Sequence, residues 1–335
     1  MVLVKPVTVT VLTPATSANL GPGFDSLGLA LQLYNRFKVQ LAQGDAQAPL
    51  IRVEGAYSAG LSIGPDNLFF RSFAALYARQ QVELPAIEID MTINIPHGCG
   101  LGSSATAVVG GLIAANAFLK LQGKAIQKEA LLEIAVENEA GNHPDNVAPA
   151  LLGGLVATTS IDGSIRAIKT RFPDTLKAVI FTPSFPMDTI AGRKLLPASY
   201  SKADVTFNTG RVALLLTALQ TGRYELIGGA MQDRLHQPYR QALFPAMPDI
   251  IQAAVDAGAH GASLSGGGSS LIALASANFT GILRAMQETA RAAGVEGTGR
   301  ILRADQQGAR VLPVDRERRE KQQNPNYRYH TNAML

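Results

Sequence analysis

The sequence predicts an α+β protein of two domains, and three observations carry that reading. A period-two strand, a glycine-rich turn and an apolar helix follow one another across residues 87–121. The chain has 335 residues with 47% apolar content, enough to bury more than one core. After the polar turn Asp162-Gly163-Ser164 the strand and helix pattern starts afresh, so a boundary falls between residues 166 and 174 with no low-complexity linker. The expected domains are residues 1–168 and 169–314, followed by a basic polar tail at 315–335.

The chain opens with a strand over residues 7–12, with Val7, Val9 and Val11 on one face. Pro14-Ala15-Thr16-Ser17-Ala18-Asn19-Leu20-Gly21-Pro22-Gly23-Phe24-Asp25-Ser26-Leu27-Gly28 follows, polar and tightly turned. Pro22-Gly23 forces a turn flanked by Asn19 and Asp25, which can aim an amide and a carboxylate into one cleft; a long hairpin connection to the next strand, at 35–41, fits the composition equally. A short strand at 51–54 leads to a helix over 67–80, for which Asp66-Asn67 is the N-cap signal.

In the central stretch Ile87, Ile89, Met91, Ile93 and Ile95 alternate with polar residues until Pro96 ends the strand. Gly98, Gly100 and Gly102 then alternate with Cys99 and Leu101, before Ser103, Ser104 and an apolar run. Glycine at alternate positions lets several N–H groups point inward, and the helix adds its unpaired amides and roughly half a positive charge. That is a phosphate cradle, although a plain connection with a serine cap uses the same residues. A Walker A loop would need a lysine after the glycines, and the dinucleotide fingerprint would need its third glycine one residue later. Gly110, Gly111, Ala114 and Ala115 suit close packing of the helix.

A helix over 128–139 runs into carboxylates spread around a Gly/Pro turn, Glu137, Glu139 and Asp145, with His143 among them. Read singly they are a solvated helix end and a structural histidine; together they can supply one Mg2+ ligand and one substrate contact. Strands at 154–159 and 176–182 follow, then a loop with basic residues at 183–194. Helices at 207–220 and 248–257 carry core residues. A glycine-rich turn between strands spans 262–273, and a helix at 279–293 and a strand at 299–304 complete the second unit.

The net charge of +4 lies mostly in the tail, where Arg316, Arg318, Arg319, Lys321 and Arg328 outweigh Glu317 and Glu320. With 6% aromatics and no basic stripe in the body, nucleic acid is not an expected partner. The single cysteine, Cys99, excludes an internal disulfide framework and fits a reducing compartment. Met1-Val2-Leu3-Val4-Lys5-Pro6 is not a signal peptide, and no apolar run approaches the ~20 residues of a membrane helix, so a cytoplasmic location is expected and a membrane partner is not. The tail is read as a flexible end in preference to a strap across the second subunit of a homodimer.

The turn Pro96-His97-Gly98-Cys99-Gly100-Leu101-Gly102-Ser103-Ser104-Ala105-Thr106 resembles the phosphate-binding motif of the GHMP kinases, the superfamily of galactokinase, homoserine kinase, mevalonate kinase and phosphomevalonate kinase. Residues 14–28 and the run His143-Pro144-Asp145-Asn146-Val147-Ala148-Pro149-Ala150-Leu151-Leu152-Gly153-Gly154 are similar to the homoserine kinase branch, and 262–273 resembles the third family motif. The resemblance covers about residues 7–311. It implies a two-domain GHMP kinase fold, with a ribosomal-protein-S5-domain-2-like N-terminal domain and a ferredoxin-like C-terminal domain.

It further implies an enzyme that uses ATP with Mg2+ to phosphorylate the side-chain hydroxyl of L-homoserine. By that resemblance Pro96 through Thr106 wrap the triphosphate, Asn67 approaches the adenine, and Ser104 reaches Mg2+. Asn19 and Asp25 hold the acceptor hydroxyl, His143 and Asp145 contact the substrate, and Arg193 and Arg240 grip its carboxylate. Whether Asp25 acts as a base or only orients the hydroxyl stays open. Ala140-Gly141-Asn142 stands where many members have a single glycine, so the metal-binding glutamate is ambiguous; Glu137 fits the pattern best, with Glu139 in reserve. Another GHMP small-molecule kinase, or a GHMP protein that binds ligand without turnover, are the alternatives.

Overall fold

The computed structural model describes residues 7–139, 141 and 143–313; the expected tail at 315–335 lies outside them. The first two strands, β1 (Thr8–Asn19) and β2 (Gly23–Leu41), pair antiparallel along almost their whole length, from Thr8 opposite Gln40 to Asn19 opposite Gly23. Residues 14–28, expected as a turned connection, are therefore mostly strand. Register shifts between Pro14 and Ala15 and between Ala18 and Asn19 bend the pair, and its bent half is buried on both faces. A strand covered on both sides has no polar face, so it lacks the alternation by which strands are recognised.

The first sheet continues through β3 (Leu50–Glu54), reached before α1 (Leu68–Arg79), and β4 (Ile87–Thr92), which runs antiparallel to β2 and parallel to β3. Three helices follow: α2 (Ser103–Leu121), α3 (Lys128–Asn138) and α4 (Pro144–Leu152). α4 has no counterpart in the sequence reading; Pro144 starts it, and Gly153, at φ +75°, ends it. Next come β5 (Leu155–Ile161), paired with the Leu27 end of β2, and β6 (Ser164–Thr170). The border expected at 168/169 falls inside β6.

The second sheet begins with β7 (Lys177–Pro183). Four helices intervene, α5 (Thr189–Lys194), α6 (Lys202–Thr221), α7 (Ile227–Ala230) and α8 (Gln237–Arg240), before α9 (Met247–Asp256). Then come β8 (Gly261–Leu264), β9 (Leu271–Ala275), α10 (Phe279–Ala292) and β10 (Gly297–Leu302). The antiparallel order β10-β7-β9-β8 with α9 and α10 as crossovers is the ferredoxin-like arrangement, with α5 to α8 inserted after its first strand. The last element, β11 (Arg310–Val311), leaves this unit and pairs with β1, Val311 opposite Val11.

Three apolar clusters hold these layers together. One lies between the first sheet and α1 to α4, where Phe37 stacks on Phe69 with centroids 4.6 Å apart. Glycines set that approach: a Cβ on Gly110 would sit 2.7 Å from the Phe37 ring and one on Gly111 2.2 Å from the Phe69 carbonyl oxygen. The 19-residue α2 is long and apolar enough to cross a membrane, contrary to the sequence expectation, but its apolar residues serve this core. A second cluster joins the two sheets, with Leu20, Leu29, Ile95 and Leu101 against Ile180, Leu215 and Ile272. The third seats α9 and α10 on the far face of the second sheet through Ile250, Ile282, Val179 and Phe181. β7 is thus buried on both faces.

Candidate active site

A cleft of about 430 Å³ lies between the two sheets; the glycine-rich turn forms one wall, and Asn19, Asp25, His143, Asp145, Arg193 and Arg240 line it elsewhere. The turn is built by committing its carbonyls. The Gly98 oxygen accepts from Met187 N (2.8 Å), Cys99 from Ser270 N (2.9 Å), Gly100 from Ser265 Oγ (2.6 Å) and Leu101 from Thr16 N (3.1 Å). With each carbonyl taken by a neighbouring segment, the N–H groups of residues 98–102 have no acceptor among the described residues. Gly98, Gly100 and Gly102 all adopt positive φ, from +64° to +73°. A Cβ on Gly100 would lie 2.1 Å from the Ser265 carbonyl oxygen, and one on Gly102 1.9 Å from Thr16 Oγ1. Gly102 is also the N-cap of α2 and offers no side-chain bond, so the first turn of that helix stays open to an anion.

Side chains around the turn brace it. His97 donates from Nε2 to the Tyr57 carbonyl (2.7 Å) and accepts at Nδ1 from the Ser103 hydroxyl (2.9 Å). Cys99 is packed against the His97 carbonyl, and burial pushes its thiol up. Pro96 through Ser104 line the cleft; Ala105 and Thr106, expected with them, turn into the core, where the Thr106 hydroxyl bonds Asn35 and the Ser103 carbonyl. Asn67 lines the cleft too, but its amide caps α1, accepting from Phe69 N and Phe70 N and donating to the Ser62 carbonyl.

At the other end, Asn19, Leu20 and Asp25 take left-handed backbone conformations, with φ of 70°, 48° and 55°. Asn19 locks that turn, donating to the Gly266 carbonyl (2.9 Å) and accepting from Asp25 N (3.1 Å). The Asp25 carboxylate takes both prongs of Arg193, at 2.6 and 3.1 Å, and lies 3.7 Å from His143 Nδ1. Arg240, 1% exposed, donates to the Gly266 carbonyl and to His236 Nδ1, each at 3.0 Å. The Phe24 ring stacks near both guanidiniums, 5.2 Å from Arg193 and 5.5 Å from Arg240.

Asp145 is 3% exposed, and burial, helped by the Asp25 charge, pushes its carboxyl up to about 7. Burial also holds His143 below its usual range. Two guanidiniums, Arg193 and Arg240, thus share the cleft with Asp25 and the buried Asp145. Arg193 belongs to α5, whose N-cap Asp188 accepts from Ala191 N; six residues are too few for a helical period, which is why the sequence showed only a loop.

The structure separates the two candidate glutamates. Glu137 stays on the last turn of α3, 57% exposed and 3.6 Å from Arg79, away from the cleft. Glu139 caps that helix in extended conformation and turns into the cleft, accepting from Ser104 Oγ at 3.1 Å. The expectation for Glu137 is therefore corrected: the helix turns its side chain to Arg79, and the reserve, Glu139, stands beside Ser104. Burial pushes the Glu139 carboxyl up to about 7. Two oxygen donors side by side, one of them a carboxylate, match what Mg2+ accepts when phosphates complete its shell. Gly266 comes from the third motif at 262–273, whereas His236 was not foreseen; its spacing from Arg240, one helical turn apart, was its only signal.

Comparison with known proteins places the chain in a family. The family description "GHMP kinases N terminal domain" matches residues 67–154, and "GHMP kinases C terminal" matches residues 215–292. A homoserine kinase of Microchaete diplosiphon is 43% identical over 314 residues, 93% of this chain and 99% of that protein. One of Desulfitobacterium hafniense is 40% identical over 305 residues, 91% of this chain and 100% of its own. The crystal structure of homoserine kinase from Cytophaga hutchinsonii superimposes with a TM-score of 0.82 at 32% identity, covering 91% of this chain and 97% of that one. A mevalonate kinase of L. major, at 18% identity and a TM-score of 0.68, covering 91% and 98%, shares the fold. With both family models matched and homoserine kinases 40–43% identical along nine-tenths of its length, the chain belongs to the homoserine kinase family of the GHMP kinases.

Proposed function

We propose that this chain passes the γ-phosphoryl group of ATP to the side-chain hydroxyl of L-homoserine, giving O-phospho-L-homoserine on the way to threonine, in the cytoplasm. The observation that carries the reading is the placement of Asp25 in one cleft with an anion cradle at one end and two arginines, Arg193 half-buried and Arg240 buried, at the other. The amides of residues 98–102 and the open start of α2 hold the phosphates. Arg193 and Arg240 take the acceptor's carboxylate, Asp145 and His143 contact its polar atoms, and Asp25 orients the hydroxyl or receives its proton. Ser104 and Glu139 hold Mg2+, which when bound offsets the charge on the phosphates. The turn and helix start do the work of the lysine in P-loop enzymes, and no covalent enzyme intermediate is required. The reading is supported by the named relatives and by the two guanidiniums that line the acceptor pocket beside Asp25 and Asp145, the latter pushed up to about 7 by burial. A coupled ADP-release assay with homoserine, mevalonate, galactose and shikimate tests it: homoserine leads by kcat/KM, and a lead for any other acceptor refutes the assignment.

A further inference from the structure

The two arginines of the acceptor pocket are held in opposite ways. Arg193 spends its fork on the Asp25 carboxylate. Arg240 is held by neutral acceptors only, the Gly266 carbonyl and the ring of His236, and its Nε has no partner. His236 is fully buried, and its protonation can be read from its partners. A guanidinium has no lone pair to offer, so Nδ1, 3.0 Å from Arg240 Nη1, must be the acceptor. The proton then sits on Nε2, which donates to the Gly21 carbonyl at 2.8 Å. Asp233 lies 3.5 Å from Nε2 and is already engaged by the amides of Leu235, His236 and Gln237 and by Asn208. Burial holds the ring neutral, well below the usual histidine range. The same ring stacks on Phe24 at 5.2 Å, and Phe24 directly precedes Asp25.

We infer that His236 is a positioning residue for the acceptor: as a neutral ring bridging Gly21 and Arg240, it aims the Arg240 guanidinium at the substrate carboxylate with its charge uncommitted. An acid at this place would neutralise Arg240, and an alkyl side chain would leave its Nη1 without one of its two acceptors. The bridge also ties the turn bearing Asn19 and Asp25 to the arginine, so the hydroxyl end and the carboxylate end of the acceptor share one reference point. The inference rests on the proposed acceptor, and the wild-type assay above tests that separately.

Its own test compares His236→Gln, whose amide reaches the Nε2 place and serves Gly21, with His236→Asn, whose amide reaches the Nδ1 place and serves Arg240. His236→Gln raises the homoserine KM about tenfold or more, the value of a hydrogen bond to a charged group. It leaves the ATP KM alone and does not penalise 3-aminopropan-1-ol, which has the hydroxyl and no carboxylate. His236→Asn recovers most of the loss, and in an Arg240→Lys background His236→Gln adds nothing. Equal losses for both acceptors, or an unmoved homoserine KM in both variants, overturn the inference. Nitrogen-15 NMR of the histidines in the wild-type protein gives a reading that needs no variant to fold: His236 shows the neutral Nε2–H tautomer with Nδ1 as acceptor, and an Nδ1–H or doubly protonated ring refutes the bridge.

Discussion

The two ends of the cleft are made from different materials. The end proposed for the nucleotide is backbone: one contiguous turn, its carbonyls bound from behind by Thr16, Met187, Ser265 and Ser270, its amides turned the other way. The end proposed for the acceptor is side chain: Asp25, Asp145, Arg193 and Arg240 arrive from four segments, Asp25 and Arg193 holding each other while Gly266 and His236 hold Arg240. A backbone site tolerates changes of side chain and fails when a Cβ is added, whereas a side-chain site fails group by group. That contrast can be broken or sharpened in four steps.

The largest effect is expected at Asp25→Asn, where kcat falls roughly 100- to 10,000-fold while the ATP KM holds. A matched rise in ATP KM in steady-state kinetics would show that the two ends are not separable. Next comes Gly100→Ala, whose methyl would collide with the Ser265 and Gly268 backbones; kcat/KM for ATP drops on the order of 100-fold as the turn shifts. Gly123→Ala is the control, because Gly123 has a similar φ of +71° but no atom within 4 Å of its would-be Cβ, so it costs only about 1–2 kcal/mol of stability and spares kinetics. Third, Glu139→Gln weakens the apparent Mg2+ affinity at least roughly tenfold in a metal titration, whereas Glu137→Gln leaves it unchanged.

The smallest effect is on stability. Asp145 carries a folded-state value of about 7 against an ordinary 3.8, so between those pH values the folded chain binds more protons than the unfolded one. Stability of the ligand-free protein therefore falls as pH rises from about 4 to 7, and the penalty is complete above 7. Asp145→Asn removes it: the Tm at pH 8 rises by about 2–4 °C, and its slope with pH flattens in calorimetry. A Tm that falls at pH 8 instead would place a strong cation beside Asp145.

How much of this was legible follows from the same contrast. The strand, glycine-rich turn and helix of residues 87–121 could be read because they are adjacent in the chain. α1, α2, α9 and α10 fall close to the expected bounds for the same reason, each carrying its own period. The strand character of residues 14–28 could not be read, since burial on both faces erases alternation. Four-residue α8 has too few turns to show a period. For the acceptor pocket only resemblance pointed to Arg193 and Arg240, because 168 residues separate Arg193 from Asp25 and no local pattern spans that distance. Choosing between Glu137 and Glu139 needed the φ and ψ of a single helix end, which residue types alone do not dictate.

β11 pairs with β1 only at Val11 and Leu12, and it reaches them after the whole second unit has been built. During synthesis the outer edge of β1 stays uncovered until residue 311 has left the ribosome, long after the phosphate turn has emerged. Shortening the chain by a few dozen residues would thus damage the sheet at its beginning rather than its end. A fragment carrying residues 1–168 alone would display an open strand edge that invites pairing with other chains.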